Sequence, residues 1–160
     1  MFPESLQHKF DQIVARYPVK RSALIPILLT IQEEEGFLSP EALRFVARYL
    51  ELQEVDVLEV VTFYSMLRTK PAGKNHVQVC TNISCLLLGG EEIFQHISKR
   101  LGIGEGETTE DRLFSLAEVE CLGACCNAPA MQVNYQYHED LTLEKVDQIL
   151  DELRRRVKTE

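Results

Sequence analysis

Five cysteines stand in two short clusters, and four of them have the type and spacing of an iron–sulfur ligand set. Cys80 and Cys85 form a C-x4-C pair; Cys121 and Cys125 form a C-x3-C pair with Cys126 directly behind. A [2Fe–2S] centre takes two thiolates on each iron. Two pairs well separated in sequence suit a site built from two loops that meet in space, and its chemistry would be one-electron transfer. Structural zinc also takes four thiolates, but its commonest spacing is C-x2-C twice, and neither pair has it. Plant-type ferredoxins put three cysteines in one loop, whereas this chain splits two and two. An odd count and an N-terminus without a signal-peptide pattern argue for a reducing compartment over disulfides. The C-x-x-C of a thioredoxin-like thiol catalyst is absent. Zinc and ordinary buried cysteines are the competing readings.

The two cysteine loops share a second property. Residues 80–90 and 121–131 contain no Lys, Arg, His, Asp or Glu, in a chain with 26% charged residues. An all-thiolate [2Fe–2S] site carries net negative charge that grows on reduction. Without basic side chains nearby, compensation falls to backbone N–H groups. Gly89, Gly90 and Gly123 would let that backbone approach the sulfurs. Thr81, Asn82 and Ser84 would add donors, and Leu86, Leu87, Leu88, Leu122 and Met131 would exclude water. Such a site should have a low reduction potential, nearer the ~ −400 mV of plant-type centres than the values of His-ligated ones. The plainer reading makes Gly89-Gly90 a turn and the leucines core.

Around the loops, the first ~70 residues read as helices. Leu6, Phe10, Ile13, Val14 and Tyr17 mark one helix face, stopped by Pro18. Ser22 reads as the N-cap of a second helix, with Pro26 in its first turn and Leu24, Ile25, Leu28, Leu29 and Ile31 along it, ending at Gly36. Ser39-Pro40-Glu41 is an N-cap, N1 and dipole-favourable acid for a helix burying Leu43, Val46, Ala47 and Leu50. A fourth helix runs from about Val55 to Leu67, burying Val57, Val60, Val61, Tyr64 and Leu67. Pro71-Ala-Gly73 breaks the pattern, giving a helical domain over 1–73 and a second domain over 74–160. There His76–Cys80 alternates as a strand. A helix with Ile93, Phe94, Ile97 and Leu101 inward follows Gly89-Gly90 and ends at Gly102. Leu113–Val119 is a strand, and Ala130–Asn134 with Gln136–His138 a hairpin. Thr142 caps a last helix striped by Leu143, Val146, Ile149, Leu150, Leu153 and Val157, with Leu141 and Val146 at the staple positions. The order β-α-β-β-β-α suits an α+β (α/β) sandwich with helices on a small sheet.

Composition narrows the function. The formal net charge of −8 disfavours nucleic acid or an anionic membrane surface as partner. No apolar run approaches the ~20 residues of a membrane span, and the chain reads as cytosolic. Neither G-x-G-x-x-G nor a P-loop is present, so a nicotinamide site on this chain is not supported.

The same residues resemble a known family. Cys80-Thr-Asn-Ile-Ser-Cys85 before Leu-Leu-Leu-Gly-Gly, then Glu118-Val-Glu-Cys121-Leu-Gly-Ala-Cys125 and Asn127-Ala-Pro129, are similar to the small thioredoxin-like [2Fe–2S] subunit of respiratory NADH:quinone oxidoreductase, complex I. Arg21–Pro26, Gln32–Gly36, Leu38-Ser-Pro40, Val61–Tyr64 and Lys70–Lys74 resemble its helical part. Related subunits serve NAD-dependent formate dehydrogenases and NAD-linked hydrogenases. The resemblance implies an N-terminal helical bundle followed by a thioredoxin-like ferredoxin domain, with one [2Fe–2S] cluster on Cys80, Cys85, Cys121 and Cys125. It implies an electron-transfer subunit of an oxidoreductase, with no catalytic residues of its own. Its partner would be the subunit that binds NADH and FMN, beside other peripheral-arm subunits, at the cytoplasmic face of the membrane through the complex. Cys126 departs from the family pattern; it is read as a bystander. A stand-alone ferredoxin and a structural zinc module are the readings from other classes.

Overall fold

A computed structural model describes residues 2–157. The chain divides into two compact units, Met1–Pro71 and Ala72–Glu160.

The first unit is four helices, α1 (Glu4–Val14), α2 (Leu24–Glu35), α3 (Pro40–Leu50) and α4 (Glu54–Phe63). Its core joins Leu6 and Phe10 of α1, Leu24, Ile27, Leu28 and Ile31 of α2, Val46 and Leu50 of α3, and Val57 and Val61 of α4. The ends of these helices explain where the expected boundaries shift. Helix α1 stops at Val14, so Tyr17 lies past its end and is exposed. Ser22 is no cap: it sits in a 3-10 turn over Lys20–Ala23, and α2 starts behind it at Leu24. Helix α4 ends at Phe63, and Leu67 reaches the core from the following turn. The buried Gln32 was missed because polar residues seldom face a core. Its amide is satisfied on both sides, donating to Met66 O at 2.9 Å and accepting from Arg68 N at 2.6 Å. That holds the chain after α4 against α2. Gly36 ends α2 in the left-handed region, φ 82°, which a Cβ would disfavour.

Ser39 caps α3 as expected, its hydroxyl accepting from Ala42 N at 3.1 Å, with Pro40 at N1. Ser39→Ala strands an N–H of the first turn. It should lower stability by about 1 kcal/mol, read as a lower urea midpoint of the full chain.

The second unit carries β1 (Asn75–Cys80), α5 (Ile83–Leu87), α6 (Gly90–Leu101), β2 (Phe114–Val119), β3 (Met131–Val133), β4 (Gln136–His138) and α7 (Leu143–Val157). The sheet order is β2-β1-β3-β4; β1 pairs parallel with β2, and β1–β3 and β3–β4 are antiparallel. Parallel neighbours need a crossover, and α5 and α6 supply it. Val77, Val79, Phe114, Leu116, Met131 and Val133 pack against Ile93, Phe94 and Ile97 of α6 and Val146 and Leu150 of α7. The helices α6 and α7 are laced together by His96 Nε2–Asp147 Oδ1 at 2.7 Å and Arg100–Asp151 at 2.8 Å. Thr142 accepts from Lys145 N at 3.2 Å, and Leu141 and Val146 are both buried. The Val157 side chain, assigned to the same stripe by its spacing, lies outside the described residues.

Candidate metal centre

The two cysteine loops leave the sheet at the end where β1 and β2 both stop. Cys80 is the last residue of β1, in register with Val119, the last residue of β2. The two chain segments therefore leave the sheet side by side, one into the first cysteine loop and one into the second. Cys85 follows on α5, which the sequence reading missed. This helix is only five residues long and has no polar face to give it a period. Its cap is visible in the sequence: Asn82 accepts from Ile83 N at 2.8 Å.

Cys80 and Cys85 are buried in a small apolar cluster with Ala130, flanked by Val119, Leu122, Ala124 and Ala128. Cys121, Cys125 and Cys126 are exposed, and all five thiols are free. Burial pushes the Cys85 thiol up; a hydrogen bond with Cys80 and the charges of Cys80 and Cys125 act in the same direction. Cys80 and Cys85 are thus a touching pair, with Cys125 close enough for its charge to bear on Cys85. Cys121 is held differently, its Sγ accepting from Gly123 N at 3.3 Å. Among the described residues no group of three or more His, Cys, Asp or Glu side chains is assembled to hold a metal ion. The thiols come as one buried pair and one exposed loop.

The donor set fits a [2Fe–2S] cluster. Both buried thiols can serve as ligands, since a coordinating thiol is deprotonated outright by the bound cation. Gly90 brings the backbone close, but to the main chain of the thiol-bearing residues and not to their sulfurs: a Cβ there would stand 2.8 Å from Cys80 O and 2.9 Å from Cys85 O. Gly123 has φ 73° and offers its N–H to sulfur.

Two further expectations fail. Leu86, Leu87 and Leu88 do not shield the thiols: they stand on the outside of α5 with Ile83, and Leu87 is 79% and Ile83 70% exposed. A five-residue helix turns one side to the sheet, here Cys85, and leaves the rest to solvent. Thr81 and Asn82 do not aim their donors at sulfur either. Thr81 Oγ1 donates to Glu118 at 2.6 Å and Asn82 Nδ2 to Glu120 O at 2.7 Å, so both stitch the first loop to the second.

A four-stranded sheet with parallel and antiparallel neighbours, helices packed on it and cysteine loops at one end, is a thioredoxin-like scaffold adapted to hold metal. The chain belongs to the thioredoxin-like [2Fe–2S] ferredoxin family, whose model matches residues 10–154. It is 47% identical over 147 residues to a subunit of the NADH-quinone oxidoreductase of Rickettsia bellii (strain RML369-C), covering 90% of this chain and 88% of that one. The corresponding subunit from Rhizobium meliloti (strain 1021) is 43% identical over 150 residues, covering 94% and 89%. Among solved structures, an NAD+-reducing [NiFe]-hydrogenase in the air-oxidized state superposes with a TM-score of 0.70 at 17% identity. The match covers 81% of this chain and 23% of the hydrogenase chain, and bears on fold alone.

Proposed function

We propose that this chain is the one-electron carrier of an NADH:quinone oxidoreductase, holding one [2Fe–2S] cluster on Cys80, Cys85, Cys121 and Cys125 beside a flavin- and NADH-binding partner. The observation that supports the reading is the common end of β1 and β2, which sends the two charge-free cysteine loops out of the sheet side by side. The relatives are named as one and the same subunit of that oxidoreductase, which points to the same complex. A bound cluster supplies one-electron exchange with the partner's FMN. The chain's own residues bind it through four thiols, bury the first pair and place no charged side chain within either cysteine loop.

Each unit also carries an apolar surface suited to a permanent partner. On α4, Val57 and Val61 face inward, while Val55, Leu58 and Phe63 face out, Phe63 at 79% exposure. On α5 the exposed side chains are Ile83, Leu86 and Leu87. No helix among the described residues is long and apolar enough to cross a membrane; a position at the cytoplasmic face follows only from membership of the proposed complex.

The double variant Leu58→Glu/Phe63→Glu should keep its iron yet co-purify with the flavin subunit at least about ten-fold less well, since burying an unpaired charge costs more than about 1.4 kcal/mol. Undiminished co-purification would count against docking through the helical unit. Identifying the partners that come down with the unmodified chain separates this reading from a formate dehydrogenase or hydrogenase subunit.

A further inference from the structure

The second cysteine loop is held from both sides at the residue that matters most. Residues 120–124 belong to no helix or strand, so no ladder fixes where Cys121 stands. Its two neighbours are nonetheless gripped. Asn82 Nδ2, from the cap of α5, donates to Glu120 O at 2.7 Å. Tyr137 Oη, from β4, donates to Leu122 O at 3.1 Å. The carbonyls before and after Cys121 are thus tied to different elements, one on each side of the sheet end. The thiol between them accepts from Gly123 N.

Asn82 also links the pairs. Its Oδ1 caps the helix that carries Cys85, while its Nδ2 holds the loop that carries Cys121. One side chain therefore sets the spacing between a thiol of the first pair and a thiol of the second.

We infer that Asn82 and Tyr137 are positioning residues for the metal centre: together they clamp the peptide units flanking Cys121 and so fix its thiolate against the buried Cys80–Cys85 pair. The inference rests on Cys121 being a ligand, as proposed above. A site that must accept iron and sulfide needs one movable wall, and an exposed loop held by two side-chain hydrogen bonds is such a wall. The clamp keeps it closed afterwards.

The variants that isolate this role are Asn82→Asp and Tyr137→Phe in the full-length, cluster-loaded chain. Asp keeps the acceptor that caps α5 and loses the donor to Glu120 O; Phe keeps the ring and loses the hydroxyl. Two readouts are taken, the rate of iron transfer to a chelator and the visible circular dichroism of the bound cluster, alongside the melting temperature of the apo chain. Each variant should lose iron about five-fold faster, the worth of one hydrogen bond, with an altered visible dichroism and an apo melting temperature lowered no more than by Ser39→Ala, which also removes one hydrogen bond but lies in the helical unit. The double variant should be faster than either. Unchanged release and dichroism in both would overturn the inference, as would faster release that merely tracks a lower apo melting temperature. Cys121→Ser, run beside them, separates the failures. If it loads and holds iron normally, the ligand assignment is wrong. If it loses iron while the other two behave as wild type, only the clamp is wrong.

Discussion

Cys121→Ser should yield a colourless chain, whereas Cys126→Ser should keep its iron and its visible spectrum. Four thiolates complete a [2Fe–2S] centre, and a fifth enters only by displacing one. Cys125 and Cys126 are consecutive residues opening a 3-10 turn, and neighbouring side chains point in different directions. Cys125→Ser is the intermediate case. Cys126 stands at the x4 spacing from Cys121 that already serves Cys80 and Cys85, so a ligand exchange is open to it, and a weaker, spectrally shifted cluster is the expected outcome. Cys121 has no such neighbour. Cys80→Ser and Cys85→Ser should be as severe as Cys121→Ser, because each leaves a single thiol in an apolar pocket. Iron per chain and absorbance spectra of the five variants decide the register. Loss of all iron in Cys126→Ser, with a normal Cys125→Ser, would make Cys126 the fourth ligand.

Gly90→Ala is the second large effect, and it strikes the first pair through the backbone. The added Cβ would stand 2.8 Å from Cys80 O, 2.9 Å from Cys85 O and 3.0 Å from Cys85 C. All three are main-chain atoms of the thiol-bearing residues, so no side chain can rotate away. Relief requires α6 to move off the end of β1, which separates Cys80 from Cys85. Overpacking of this kind costs about 1–3 kcal/mol, and the upper end applies where backbone meets backbone. The expected result is a lower urea midpoint and a chain that loads little iron. Gly104→Ala is the control. Its Cβ would approach only the flexible Glu107 carboxylate, at 3.5 Å, and both readings should match wild type. Normal iron content in Gly90→Ala would show that the close approach is not required.

Most of the scaffold was legible in the sequence, for identifiable reasons. Helix α3 announced its start with Ser39-Pro40 and its buried face with an apolar stripe. Helices α6 and α7 had full amphipathic periods, and β1 alternated up to Cys80. What escaped notice was short or cooperative. Helix α5 has one buried side and too few residues to show a period. Its leucines read as shield because hydrophobicity does not say which way a side chain faces. Ser22 looked like a cap, but a 3-10 turn took its place. The cysteines and the charge-free loops were visible from spacing and composition. The links between the loops, Asn82 to Glu120 and Tyr137 to Leu122, join residues far apart in sequence and left no local pattern. Asn82 carried one clue, a cap-forming residue directly before Ile83-Ser84-Cys85.

The most direct test of the account is iron, zinc and acid-labile sulfide analysis of the full chain purified without oxygen. Two irons and two sulfides per chain, lost together in Cys121→Ser and retained in Cys126→Ser, is the predicted result. One zinc per chain with no sulfide would contradict it and leave a structural zinc module in place of an electron carrier.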